Sequence, residues 1–164
     1  MGAEITLPEG RLPLLVASRT GYRNLCRLIT RAKLRAEKGT TVVRIDEIEE
    51  FRDGLICLTG GEEGPLKQLF RSNRSQASRF LDRLVEILGR DQVYAELQRH
   101  FDREQERHNQ TVIALAQQRR IPLLATNGVH YADLGGRLLH DVLTCIRTGT
   151  TLDTAGHLLN RNSE

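Results

Sequence analysis

The sequence lacks several features that define whole classes of protein. No apolar run approaches the ~20 residues that a helix needs to cross a bilayer, and the amino terminus, MGAEITLPEG, is acidic and poor in apolar residues, unlike a secretory signal. Cysteine is scarce: Cys26, Cys57 and Cys145 are odd in number and widely separated, which argues against a disulfide framework or a CxxC zinc site. We therefore expect a cytoplasmic protein with no membrane partner, whose three thiols are reduced and buried.

Two common catalytic signatures are also missing. There is no GxSxG turn, and Ser18, the serine at the end of a predicted strand, has no evident base, so serine nucleophile chemistry is not indicated. A glycine-rich stretch at residues 59–65 follows a predicted strand, where backbone amides could approach a phosphate. It lacks the P-loop lysine and the GxGxxG spacing, and Glu62 and Glu63 would repel a phosphate. We interpret this stretch as a tight connection from strand to helix.

Short apolar runs alternate with helical patterns along the chain. The predicted strands are residues 3–7, 11–18, 55–58, 93–98 and 122–125. The predicted helices are residues 21–37, 46–51, 76–88, 102–119 and 134–147. The length of 164 residues suits one domain. This alternation predicts an α/β protein with about five parallel strands, joined by right-handed crossovers through helices.

Three residues that we expect at the carboxyl ends of separate strands could bind a metal. The segment IPLLATNGVHY ends near His130, after an apolar run that we interpret as a strand buried on both faces. The segment VYAELQRH likewise ends in His100, and the first strand carries Glu4 in an apolar setting. The carboxyl ends of strands are where α/β proteins build active sites. Carboxylate and imidazole suit zinc, manganese or iron, so these three residues are candidate metal ligands, with an ordinary surface or structural role as the alternative.

A second candidate site is a basic stripe on the helix predicted over residues 21–37. The stripe consists of Arg23, Arg27, Arg31 and Arg35, which recur every four residues. It could follow the phosphates of a nucleic acid, but the net charge of the whole chain is only +3. A solvated helix face is the alternative interpretation. His108 falls on another predicted helix, and we expect it to be a surface histidine.

Six segments carry a recognisable pattern when they are taken in order. They are GAE (2–4), LPLLVASRTGYRNLCRLITRA (12–32), GLICLTGGEEGPL (54–66), YAELQRH (94–100), ATNGVHY (125–131) and HDVLTCIRTGTTLD (140–153). Together they resemble the polymerase and histidinol phosphatase (PHP) domain, in the version found at the amino terminus of bacterial C-family DNA polymerases. The LTGGEEGPL loop is similar to the error-prone, damage-tolerant branch.

The resemblance implies a distorted (β/α)7 barrel, of which this chain would be a part. Residues 1–153 would form the middle and later portion of the domain, without its amino-terminal HxH and Asp-His motifs, and residues 154–164 would be a polar end. Five strands out of seven cannot close a barrel, so the sheet should have two edges. The strands at residues 3–7 and 122–125 are the expected edges if strand order follows the chain.

The resemblance also implies up to three metals, held by nine ligands at the strand ends. Glu4, His100 and His130 match three of those ligand positions. Gly61 stands where relatives with a complete site place cysteine or histidine, and Gly128 stands where they place the aspartate of an Asp-x-His pair. Because glycine has no side-chain ligand atom, we expect no tightly bound cofactor, and a divalent zinc, manganese or iron ion if any.

These expectations lead to three hypotheses about function. The first is a PHP segment of an error-prone DNA polymerase, which performs DNA-directed DNA synthesis in damage-tolerant replication and repair. The segment itself would contribute structure or DNA contacts, with a degenerate metal-phosphoesterase site, no catalytic residue, and the remainder of the polymerase chain as its partner. The alternatives are a free-standing metal-dependent phosphoesterase that uses the three candidate ligands, and a small DNA-binding module that uses the basic stripe.

Overall fold

A computed structural model describes residues 1–37, 39–100 and 102–159. The chain divides into two compact units, Met1–Thr126 and Asn127–Glu164. This division differs from the predicted boundary at residue 153, which stays a prediction. No helix in the described ranges is long and apolar enough to span a membrane.

The first unit is built on an open, mixed sheet of five strands. The strands are β1 (Gly2–Leu7), β2 (Gly10–Val16), β3 (Leu55–Leu58), β4 (Val93–Leu97) and β5 (Leu123–Ala125). They lie side by side in chain order, so β1 and β5 are the two edges, as expected. The sheet does not close on itself within the described residues, so a barrel is not observed.

The strand directions correct the prediction of five parallel strands. β1 pairs with β2, and β2 with β3, in antiparallel fashion, whereas β3, β4 and β5 are parallel. Pro8 and Glu9 alone separate Leu7 from its partner Gly10. A two-residue connection can join only antiparallel strands, because a parallel pair needs a crossover of a dozen or more residues. The prediction was therefore wrong for the amino-terminal half of the sheet.

Five helices surround this sheet in the first unit. They are α1 (Arg19–Arg35), α2 (Ile45–Glu50), α3 (Pro65–Ser72), α4 (Arg74–Leu88) and α5 (Arg103–Arg119). The side chain of Ser18 caps α1 by accepting a hydrogen bond from the backbone of Gly21. Asp102 caps α5 as predicted, accepting from two backbone amides of the first turn.

The hydrophobic core lies between the sheet and these helices. Its fully buried side chains are mainly aliphatic: Leu12, Leu14, Leu28, Ile48, Leu55, Leu66, Leu81, Leu84, Ile87, Val93 and Val112. Cys57 is buried as predicted, but Cys26 is exposed on α1, which corrects that prediction. Leu123 in β5 is 44% exposed. The prediction that this strand is buried on both faces was wrong, since that requires packed elements over both faces of the sheet, and Ala125 is exposed as well.

The second unit contains α6 (Gly136–Thr148), the short helix α7 (Leu152–Ala155) and a final 3-10 turn. In the sequence, apolar residues recur at helical spacing, which predicts that their side of α6 faces inward: Leu138, Leu139, Val142, Leu143 and Ile146. Leu138, Leu139, Leu143 and Ile146 are instead each more than half exposed, and Asp141, Thr144 and Cys145 are buried. The prediction of the inward face of this helix was therefore wrong, although the burial predicted for the Cys145 thiol is confirmed.

Candidate functional site

Glu4 does not lie at the carboxyl end of its strand. It is the third of the six residues of β1, paired in register with Pro13, and its side chain is exposed. β1 continues for three residues beyond it, to Leu7. The predicted position of Glu4 at a strand end was thus wrong, although its role as a ligand stays a prediction.

His100 follows the carboxyl end of β4 by three residues, as predicted, and is half-buried there. Its backbone N–H donates to Oε1 of Gln105 at 2.7 Å, and Nε2 of Gln105 lies 3.1 Å from Nδ1 of the imidazole. An amide NH₂ can only donate, so Nδ1 accepts this hydrogen bond. Nδ1 is therefore available to a metal only if Gln105 moves.

The space beside Gly61 is already filled. A Cβ atom at this position would lie 2.4 Å from Nε2 of Gln98. That amide is held in place, because it donates a hydrogen bond of 3.0 Å to Oε1 of Glu96. The Gln98 side chain therefore occupies the volume that a ligand at position 61 would enter, and the residues present here do not fit the expected metal site.

Glu96 is a buried carboxylate at the end of β4, with 8% of its surface exposed. Oε1 accepts hydrogen bonds from Gln98 and from the hydroxyl of Thr126, and the backbone N–H donates to the hydroxyl of Thr59. Oε2 has no hydrogen-bond partner among the described residues. An adjoining cavity of about 10 Å³ has room for about one water molecule, the natural partner for such an oxygen.

A lysine and a histidine line the same cavity. Lys67, on α3, is only 5% exposed, and its ammonium forms an ion pair with Glu62. His108, on α5, is half-buried with its ring edge-on to Phe70, at 5.4 Å between ring centroids. Burial, followed by the charge of Lys67, lowers the pKa of His108 to about 4. His108 is therefore neutral at physiological pH, and its prediction as a surface histidine was wrong.

His130 lies in the second unit and is exposed. Its ring centroid is 5.0 Å from that of His140 on α6, and Tyr131 lies 6.1 Å from the same ring. Gly128, two residues earlier, has a φ of 56°, a left-handed conformation that disfavours a side chain. Across the described ranges, no group of three or more His, Cys, Asp or Glu residues is arranged to hold a metal ion.

Half of the basic stripe on α1 is engaged by α2. Arg31 pairs with Glu50 and lies 5.5 Å over the ring of Phe51. Arg35 pairs with Glu47 and also donates to the carbonyl of Val42. The other two members, Arg23 and Arg27, are exposed and form no ion pair within the part of the chain that the structure describes. The stripe thus retains two free guanidinium groups, and its role in binding nucleic acid stays a prediction.

Comparison with known proteins decides the family. The model of the PHP domain matches residues 1–100. This chain belongs to the PHP domain family. A protein named error-prone DNA polymerase from Pseudomonas savastanoi pv. phaseolicola is 39% identical to this PHP domain over 166 residues, covering 100% of the chain and 15% of the relative. One with the same name from Rhodopseudomonas palustris is 31% identical, covering 100% of the chain and 14% of the relative.

A second group of relatives is named DNA polymerase III subunit alpha. The protein of that name from Caulobacter vibrioides is 37% identical over 140 residues, covering 84% of this PHP domain and 12% of the relative. The chain therefore spans about a seventh of the length of the curated relatives it matches. The family and the polymerase relatives agree with the resemblance that the sequence motifs indicated.

Two features of this PHP domain had no sequence signal that we recognised. The first is the network of Glu96, Gln98 and Gln105. In the sequence these residues look like ordinary polar residues near the end of a strand. The second is the burial of Lys67. The glycine-rich stretch was expected to lead into a helix, but the sequence did not indicate the bounds of α3. It therefore did not indicate that Lys67 lies on the buried side of this helix.

Proposed function

We propose that this chain is the PHP segment of an error-prone DNA polymerase, and that it contributes structure and DNA contacts rather than a hydrolytic reaction of its own. The observation that carries this proposal is the alignment of proteins with that name along the entire chain, at 39% identity in one case. The partner is then the remainder of the polymerase chain, and we expect the protein to be cytoplasmic. Synthesis of DNA past damage would belong to that larger chain.

The state of the strand ends supports the structural part of this proposal. Gln98 fills the space at Gly61, and Gln105 occupies Nδ1 of His100. Both amides are held by further hydrogen bonds, to Glu96 and to the backbone of His100. An active phosphoesterase needs metal ions to activate water, and here polar side chains hold those places. We assign no catalytic residue in this chain.

Reading the gene on both sides of this sequence tests the proposal directly. We expect one open reading frame that continues into a polymerase catalytic domain downstream and carries an HxH motif upstream. The encoded polymerase, once purified, should extend a primer on a DNA template. A stop codon immediately after Glu164 would refute the proposal. It would favour a free-standing metal-dependent phosphoesterase or a small DNA-binding module.

A further inference from the structure

A basic groove lies on the surface of the first unit, between α3, the start of α4 and α5. Its volume is about 270 Å³, and its walls include Phe70, Arg71, Arg74, Glu104, Arg107 and His108. One water molecule needs only about 10–15 Å³ in the same measure, so the basic groove is many times larger than a water site.

The charges of the basic groove are only partly compensated. Lys67 also contributes to its wall, so four basic residues face the groove with one acidic residue, Glu104. Lys67 pairs with Glu62, and Arg71 pairs with Glu104 at 3.0 Å. Two ion pairs taken from four basic residues leave two positive charges.

Those two charges are Arg74 and Arg107. Neither forms an ion pair with any residue that the structure describes, and both are exposed. Arg74 opens α4 and Arg107 lies in the second turn of α5, so two separate helices supply a guanidinium to one groove. A guanidinium binds a phosphate through two parallel hydrogen bonds, and two of them can engage successive phosphates of one strand.

The basic residues of the groove help to lower the pKa of His108, which lines it. After burial, the charge of Lys67 is the next largest cause of the lowered pKa of His108, and Arg71 acts in the same direction. Glu62 and Glu104 oppose it without cancelling the effect. Since His108 packs against Phe70 and lines the groove, an anion that binds there should raise its pKa.

We infer that the basic groove binds the phosphate groups of a DNA strand. This inference deepens the proposed function and rests on it, because the polymerase relatives are what favour DNA over an acidic protein partner. The groove has one feature that the stripe on α1 lacks: its two free guanidinium groups share one concave site, which Phe70 also lines. Half of the α1 stripe, in contrast, is consumed by carboxylates of α2.

The test measures binding of a fluorescein-labelled oligothymidine to the 164-residue chain between about 50 and 200 mM salt. The groove variant is Arg74→Gln with Arg107→Gln. The matched control is Arg19→Gln with Arg90→Gln, which removes the same charge from exposed positions outside the groove. Each contact to a single strand adds about 0.7 to the slope of log affinity against log salt, so the groove variant should lose about 1.4 of that slope. The control should keep the wild-type slope, and thermal unfolding should show that both variants fold.

A second readout follows the pKa of His108 by NMR. The oligonucleotide should raise this pKa in the wild type and in the control, but not in the groove variant. Any of four results would overturn the inference. Two concern the salt slope: it is unchanged in the groove variant, or the control loses as much of it. The third is that inorganic phosphate raises the pKa of His108 as much as DNA does at the same phosphate concentration. The fourth is tight binding of polyglutamate that needs Arg74 and Arg107, which would favour an acidic partner. A gene without a polymerase domain would refute the proposed function but leave the binding result intact.

Discussion

At the level of single residues, two glutamine amides decide the chemistry of the strand ends. Gln98 fills the space beside Gly61, and Gln105 donates to the ring nitrogen of His100. Both amides also satisfy other polar groups, the carboxylate of Glu96 and the backbone N–H of His100. A metal ion would have to displace two side chains that are already hydrogen-bonded.

The first prediction is that the protein binds no stoichiometric metal. Protein purified without chelator should contain far less than one equivalent of zinc, manganese or iron, because Gln105 already occupies Nδ1 of His100 and the side chains of Gly61 and Gly128 have no ligand atoms. Elemental analysis measures this directly. Two or more equivalents per chain, lost when His100 and His130 are both replaced by Ala, would contradict it and favour the metal-dependent phosphoesterase.

The second prediction concerns Glu47, whose side chain is 7% exposed. Its hydrogen bond with the Arg35 guanidinium is the main cause that lowers the pKa of Glu47 from the ordinary value of 4.5 to about 2. A depressed pKa in the folded state stabilises the protein above the unfolded pKa and is lost as pH falls. We therefore expect urea denaturation to show a falling free energy of unfolding between pH 4.5 and about 2.

Glu47→Gln should flatten that part of the pH profile and lower stability at neutral pH. Glu50→Gln is the matched control, because Glu50 forms an exposed pair with Arg31 on the same two helices and such pairs contribute little. Equal pH profiles for the wild type and Glu47→Gln would show that the pair with Arg35 does not persist in solution.

At the level of secondary-structure elements, α1 sits against the turn before β3 through a contact between two glycines. A Cβ atom at Gly21 would lie 1.9 Å from the carbonyl oxygen of Gly54, and Gly54 itself has a φ of 76°. The cap of α1 lies at the same point, since Ser18 accepts from the backbone of Gly21. Helix and turn therefore approach each other more closely than any larger residue would permit.

The third prediction is that Gly21→Ala destabilises the protein by about 1–3 kcal/mol, the usual cost of forcing extra volume into a packed contact. Alanine is the better helix former, so propensity alone would have the opposite sign. Thr30→Ala, at an exposed position of the same helix, is the control and should leave stability unchanged or slightly higher. A gain in the free energy of unfolding for Gly21→Ala, measured in urea, would refute the close contact.

Sequence patterns predicted which elements exist better than how they face one another. β3 was predicted with its observed bounds, and α4 and α5 nearly so, because long periodic runs and caps are local signals. The two-residue turn at Pro8 and Glu9 also indicates the reversed direction of β2. The alternation of strands and helices along the rest of the chain, which is typical of parallel sheets, pointed the other way. The inward face of α6 was not readable, because both of its sides carry residues that could be buried.

The candidate site was predictable only in part. His100 lies beyond the end of β4 as expected, since a histidine after an alternating run is a local pattern. The contacts of Gln98, Gln105 and Lys67 were beyond prediction, because they depend on the course of the chain just after β4 and between β3 and α3. Glu4 was misplaced although the end of β1 at Leu7 was predicted, because Glu4 is the second residue of the predicted strand and lies three residues before that end.

At the level of the whole molecule, all the residues of the main core cluster lie in the first unit. The cluster extends from Ile5 to Ile121, and the unit contains every strand that the structure describes. Burial of apolar surface is the dominant stabilising term in folding. The first unit therefore has the core that an independent domain requires.

The fourth prediction is that a chain ending at Thr126 folds alone, with a cooperative thermal transition followed by circular dichroism. A chain ending at Gly89 is the control, and it should show no such transition, because it loses the core residues Val93, Ala95, Val112 and Leu115. A chain of residues 1–126 that melts without cooperativity would mean that the second unit is needed for the core to form.

The reversal of β2 has a consequence for the order of events in folding. The β1–β2 hairpin closes over two residues, and hairpins form in about 1–10 μs. The pairing of β3 with β4 instead closes a long loop between Leu58 and Val93, which contains α3 and α4. The entropic cost of closing a loop grows with its length. We therefore expect the amino-terminal hairpin to form before the parallel half of the sheet.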